Sequence, residues 1–255
     1  VGQIATDVGQ TPATFLPGVY SLIRNLSESV ILPIAGIILT FIACYELIQL
    51  VISHNNLANF ETWIFWKWVF KTFVAVCLIS NTFDITMAVF DLSQSIAASA
   101  SGLLGGTLSP FSQTTIDAFT ATLENETLGR LVLILLQSVL SWAILFLITI
   151  GILILLIVRM VEIYLLTSLA PIPVATLANR ETGQMGQNYL RSLFAVGFQG
   201  MLILVCVAIY AVLVQGIATG GDPIGAIWGC IGYTVLLCFI LMKTGTIAKS
   251  VFNAH

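Results

Sequence analysis

From Leu131 to Ala178 the chain carries only two charged residues, Arg159 and Glu162, and Ile144 to Val158 is apolar except for Thr149 and Gly151. About 20 mostly apolar residues cross a bilayer as a helix, so this stretch alone is longer than one span requires. A transmembrane β-barrel would instead show short segments alternating apolar and polar side chains. Helices are therefore expected. Composition extends the point to the whole chain: 58% of 255 residues are hydrophobic and 8% charged, against about 25% charged in an average soluble domain. The mean hydropathy is +1.02. The fold class expected is all-α, a polytopic transmembrane protein of about five spans.

Several function classes are excluded early. The net charge of −3 comes without any Lys/Arg cluster that could track a phosphate backbone. The two histidines, His54 and His255, build neither an H-E-x-x-H site nor a catalytic triad, and no P-loop or G-x-S-x-G occurs. No enzyme is expected. The five cysteines lie in apolar runs without metal-ligand spacing and read as small buried hydrophobes. No metal or cofactor is expected, and a bound phospholipid is compatible with so apolar a surface. The chain starts at Val1 without the basic-then-apolar order of a signal peptide, and a trimmed start is expected.

Charge and turn signals divide the chain. Residues 1–29 read as an outer amphipathic interfacial helix starting at Thr11-Pro12, with Phe15, Val19, Ile23 and Leu26 at helical spacing. Residues 30–90 hold the first two spans, the first ended by His54-Asn55-Asn56. The second is anchored by Trp63, Trp66, Lys67, Trp68 and Lys71, whose polar tips suit the headgroup level. Residues 91–130, rich in Ser, Thr and Gly, read as an outer loop with one short amphipathic helix around Ile116 and Leu123. Residues 131–178 form one over-long helix or two, broken at Pro171 and Pro173. A cytoplasmic loop at 179–191 follows, then two final spans and a tail in 192–255, joined by the turn Thr219–Asp222.

Reading 131–178 as a single span puts Arg180 and Arg191 on the same side as Lys67 and Lys71, as the positive-inside rule prefers. The N-terminus is then outside and the C-terminus cytoplasmic. No internal repeat is evident, which weakens a secondary-transporter reading.

Ionisable groups within spans are costly and mark sites worth attention. Glu46, Asp84, Arg159 and Glu162 are the candidates for a pore lining or for polar links between helices. Asp84 could line a water path or meet a basic group of another helix; Asp91 follows one heptad later on the same face. Arg159 and Glu162, three apart, can pair on their own helix, or repeat around an oligomer as the mouth of a channel. Asn179, Arg180, Glu181 and Arg191 form a candidate docking loop for a cytoplasmic partner. Gly197, Gly200, Gly225, Gly229 and Gly232 offer small faces for close helix approach.

The order of these features resembles a known family. The matching stretches are Arg24-Asn25-Leu26-Ser27, Trp68 to Val76, Ser80-Asn81-Thr82-Phe83, Arg159-Met160-Val161-Glu162-Ile163-Tyr164, Ala170-Pro171-Ile172-Pro173, Asn179-Arg180-Glu181, Phe198-Gln199-Gly200 and the terminal Ser250 to His255. They resemble the VirB-six and TrbL-like polytopic inner-membrane subunits of conjugative type IV secretion systems, most closely the branch on mobile elements of Gram-positive Firmicutes. The resemblance spans nearly the whole chain and is weakest from Leu103 to Leu128.

That resemblance implies a channel or scaffold subunit supporting export of single-stranded DNA with its relaxase across the cytoplasmic membrane. It implies a homo-oligomeric ring whose partners are other secretion subunits, ATPases and a coupling protein, with membrane lipid around it and DNA only as cargo. The competing reading from the residues is an autonomous small-solute transporter or ion channel, prompted by Glu46, Asp84 and the break at Pro171.

Overall fold

In a computed structural model that describes residues 10–53, 62–104, 113–124, 127–217 and 223–254, every regular element is helical. The elements are α1 (Pro12–Phe15), α2 (Pro17–Leu26), a π-helical turn (Ser27–Ile31), α3 (Leu32–Ser53), α4 (Thr62–Ser80), α5 (Thr82–Leu104), α6 (Gln113–Glu124), α7 (Leu128–Leu169), α8 (Pro171–Thr176), α9 (Gly183–Ile217) and α10 (Pro223–Val251). Five helical stretches are long and apolar enough to cross a membrane: Pro17–Ile52, Thr62–Ser80, Leu128–Leu169, Gly183–Ile217 and Ile224–Val251. The expected stop at His54-Asn55-Asn56 and turn at Thr219–Asp222 lie outside the described residues.

Several expected boundaries move. The interfacial helix of 1–29 does not stand apart from the first span, because α2 runs through the π turn into α3 without a break. The second span ends at Ser80 rather than near Phe90. Asn81 interrupts the helix, its side chain donating to the Cys77 carbonyl at 2.8 Å and so competing with backbone pairing. Asp84 consequently sits on α5, a helix that continues to Leu104 where an outer loop was expected.

The segment 131–178 is two helices, the long α7, which has 42 residues from Leu128 to Leu169 and is about 63 Å long at 1.5 Å per residue, and the short α8. The first ends before Pro171, and α8 begins there. Pro171 and Pro173 fall in the first turn of α8, where the helix has no use for an N–H donor, so the pair restarts a helix rather than kinking one. The loop expected at 179–191 is shorter than that, since α9 starts at Gly183 and carries Arg191 on its exposed side.

The chain divides into two compact units. One comprises 1–10, Ser93–Arg159 and Phe198–Ala248. Its core joins Ala97 of α5, Ile152 and Leu156 of α7, Ile203, Leu204 and Val207 of α9, and Leu237 and Leu241 of α10. Outside that core, Val132, Leu133, Leu135 and Leu136 stand 59–69% exposed on α7. In water such a stripe would be a liability, whereas against lipid tails it is solvent-matched.

The other unit comprises Thr11–Leu92, Met160–Gly197 and Lys249–His255. One of its cores gathers Ile23, Phe83, Met87, Phe90, Met160, Ile163, Tyr164, Leu193 and Val196. The Tyr164 hydroxyl, buried there, donates to the Pro12 carbonyl at 2.6 Å and ties α1 to α7. A second core packs Ala35 and Leu39 of α3 and Ala75 and Ile79 of α4 around Ala175 of α8. Small residues dominate it because, without a hydrophobic drive in lipid, close backbone approach supplies the packing energy.

Gly186 is the tightest example. A Cβ there would lie 2.5 Å from Leu177 Cγ and 2.6 Å from the Pro173 carbonyl oxygen, so only glycine lets α9 start against the end of α8. At the far end Asn253 takes φ 51° and the Ala254 N–H bonds the Lys249 carbonyl at 2.8 Å, a left-handed C-cap that closes α10.

Candidate functional site

Polar side chains are rare in the apolar helices of the first unit, and four of them share one level. Arg159, 3% exposed, follows Leu156 by one turn on α7, and its guanidinium lies against Gly200, where a Cβ would come within 2.6 Å of Nη2. Gln199 precedes Ile203 by one turn on α9 and donates through Nε2 to Thr244 Oγ1 at 3.3 Å. Thr244, 1% exposed, follows Leu241 on α10. Gln94, 3% exposed, precedes Ala97 on α5. Because α5 and α9 run antiparallel to α7 and α10, these four one-turn steps all lead the same way from the apolar core. The result is a polar layer formed by Gln94, Arg159, Gln199 and Thr244.

Neither amide atom of Gln94, nor Oε1 of Gln199, has a hydrogen-bond partner among the described residues. A buried amide without partners costs about 1–3 kcal/mol by protein mutational data. Gln94→Leu is therefore expected to stabilise the purified protein by about 1–2 kcal/mol, a rise in melting temperature of about 3 °C. A fall in a detergent melting scan would show that the amide is engaged in the native fold.

The sequence-predicted residues are distributed differently from expectation. Arg159 enters the polar layer, but Glu162 does not pair with it: Glu162 Oε1 accepts from Lys249 Nζ at 2.8 Å. The three-residue spacing allows a local pair, yet Glu162 and Lys249 lie together within the second unit. Asp84, 64% exposed at its side chain, lies 3.5 Å from Arg24, a basic group of another helix. Arg24 also bonds Glu28 at 2.8 Å and faces the Phe83 ring at 5.5 Å.

Glu46 accepts from Lys71, joining α3 to α4, and the Trp68 indole N–H adds a bond to the Ala43 carbonyl at 3.3 Å. Trp63 and Trp66 stand 64% and 60% exposed, and Lys67 lies over the Trp63 ring at 5.6 Å. These are the exposures an interfacial anchor needs.

In the candidate docking loop only Asn179 is turned inward, while Arg180, Glu181 and Arg191 are exposed. Asn179 is 4% exposed and its Oδ1 accepts the Glu181 N–H at 2.8 Å. Glu181 accepts from Tyr45 and Gln49, each at 3.1 Å, which holds the turn onto α3. Through these bonds Glu181 lies at the end of α3 that also bears Glu46, the partner of Lys71.

Gln94 was not identifiable from the sequence because its segment reads as a loop; a glutamine followed by Ala97 and Ala98 at helical spacing is the only hint. Among the described residues no group of three His, Cys, Asp or Glu could hold a metal ion. The arrangement can key helices together and carry a buried positive charge; it presents no nucleophile and base together.

Comparison with known proteins agrees with this picture of a helical membrane component. No curated protein and no solved structure matches the chain. A family model described as TrbL/VirB6 plasmid conjugal transfer like protein matches residues 1–171, which cover α1 to the start of α8. On that match, and with five helices fit to span a membrane, the chain belongs to the TrbL/VirB6 conjugal transfer-like family.

Proposed function

We propose that this chain is a non-enzymatic channel or scaffold subunit of a conjugative type IV secretion apparatus, supporting passage of single-stranded DNA with its relaxase across the cytoplasmic membrane. The observation that carries this reading is the family match over residues 1–171. The five apolar helices support a multi-pass membrane setting. The charge bias of Lys67, Lys71, Arg180 and Arg191 supports a cytoplasmic side for their end of the chain. ATPases and a coupling protein supply energy and cargo, and copies of the chain assemble into a ring.

Within one copy the role is support rather than enclosure. A path for a polyanion needs exposed basic lining, whereas Arg159 is 3% exposed and locked against Gly200. Arg159 therefore does not line such a path within one copy.

In-frame deletion with complementation tests the proposal. Transfer of the element between cells is expected to fall below detection and to return when the intact gene is supplied. Transfer at the parental rate in the deletion strain would refute the secretion role.

A further inference from the structure

A cleft of about 670 Å³ opens between α3 and α4. Its wall combines Lys67 and Lys71 with Gln49 and Glu46, and sets beside them Leu50, Ile52, Ile64 and Trp68. Cationic and apolar groups in one cleft suit a ligand that carries an anionic head on a hydrocarbon body. The position suits it too, since the cleft lies along the first turns of α4, where Trp68 lines it and Trp63 and Trp66 stand on the same stretch of helix, side chains that favour the headgroup level.

We propose that this cleft binds the headgroup of an anionic phospholipid, with Lys67 and Lys71 on the phosphate and Leu50, Ile52 and Ile64 along the upper acyl chain. Charge decides the specificity. Lys67 and Lys71 outnumber Glu46, and among the described residues Lys67 has no carboxylate partner. Glu46, its side chain 17% exposed, already holds Lys71 and so competes with the lipid for it. A zwitterionic headgroup brings a cation that the lysines repel; a phosphatidylglycerol headgroup does not. A free phosphate would leave the apolar wall unused.

This inference rests on the cleft and is independent of the secretion role. It is tested on the full chain purified in detergent by native mass spectrometry, titrating phosphatidylglycerol against phosphatidylcholine. Phosphatidylglycerol is expected to be retained in preference. Lys67→Gln should weaken it about fivefold, the effect of one lysine near an anionic lipid. Glu46→Gln, which frees Lys71, should tighten it, and Lys243→Gln, outside the cleft, should leave it unchanged.

The opposite signs of the first two variants keep the test clear of general instability. Equal retention of the two lipids would overturn the proposal, as would equal losses in Lys67→Gln and Lys243→Gln. Glycerol 3-phosphate at millimolar concentration is expected not to compete; competition by it would assign the cleft to a soluble phosphate and refute the lipid.

Discussion

Arg159→Ala and Gly200→Val are each expected to destabilise the protein strongly, and together to cost less than the sum of the two. Arg159 is 3% exposed, so truncation removes a long buried side chain and leaves a hole in the polar layer. Large-to-small changes at such positions cost about 2–5 kcal/mol. Gly200→Val fails for the opposite reason. Even a Cβ there would lie 2.6 Å from Arg159 Nη2 and 3.1 Å from Cζ, and overpacking of this kind costs about 1–3 kcal/mol. In the double variant the valine occupies space the guanidinium has vacated. The coupling between contacting residues is expected to reach about 1–3 kcal/mol. Melting midpoints in detergent for the four proteins of the cycle measure it, and strict additivity would show that the two residues do not share one space. Transfer frequency should follow the melting order.

Gly186→Val is expected to be more damaging than Gly200→Val. The Cβ would meet Leu177 Cγ at 2.5 Å and the Pro173 carbonyl oxygen at 2.6 Å. The first neighbour is a side chain that can yield; the second is backbone, fixed by the helix restart at Pro171. Since no rotamer relieves a clash with a carbonyl, α9 must move away from α8, with a loss of about 3 kcal/mol or more. Gly186→Val in a Leu177→Ala background should recover only part of that loss, because the carbonyl contact persists. Yield of folded protein on fluorescence-detected size exclusion gives the answer, and full recovery in the double variant would place the whole clash on Leu177. By comparison a Cβ at Gly129 or Gly232 meets nothing within 4 Å, so alanine there should be tolerated.

The spans were readable because lipid solvent imposes a composition as well as a pattern: Leu131–Val158 can be little else than helix. Ion pairs were not, because the sequence gives spacing within a helix but not which face meets which neighbour. Arg159 and Glu162 illustrate this, sitting one turn apart yet serving different surroundings. Gln94 escaped notice because serine and glycine near it suggest a loop, while the packing of Ala97 with Leu156 and Ile203 makes it a helix. The bonds of Glu181 to Tyr45 and Gln49, more than 100 positions away, and the burial of Asn179 were not readable either, since nothing in the sequence brings those segments together.

The wide turn at Ser27–Ile31 has a consequence for how the first helical stretch tolerates change. An α-helix advances its side chains by about 100° per residue; a π turn holds one residue more per turn and so shifts the phase of everything beyond it. The 36-residue stretch Pro17–Ile52 therefore points two separate stripes at two separate neighbours. Before the turn, Ile23 joins the cluster of Phe83 and Tyr164; after it, Ala35 and Leu39 join that of Ala75 and Ala175. Losing one residue between Ser27 and Ile31 would give a more regular helix and a worse protein, because the two stripes could no longer both face home. Substitutions in this turn should be accepted far more readily than any change in its length.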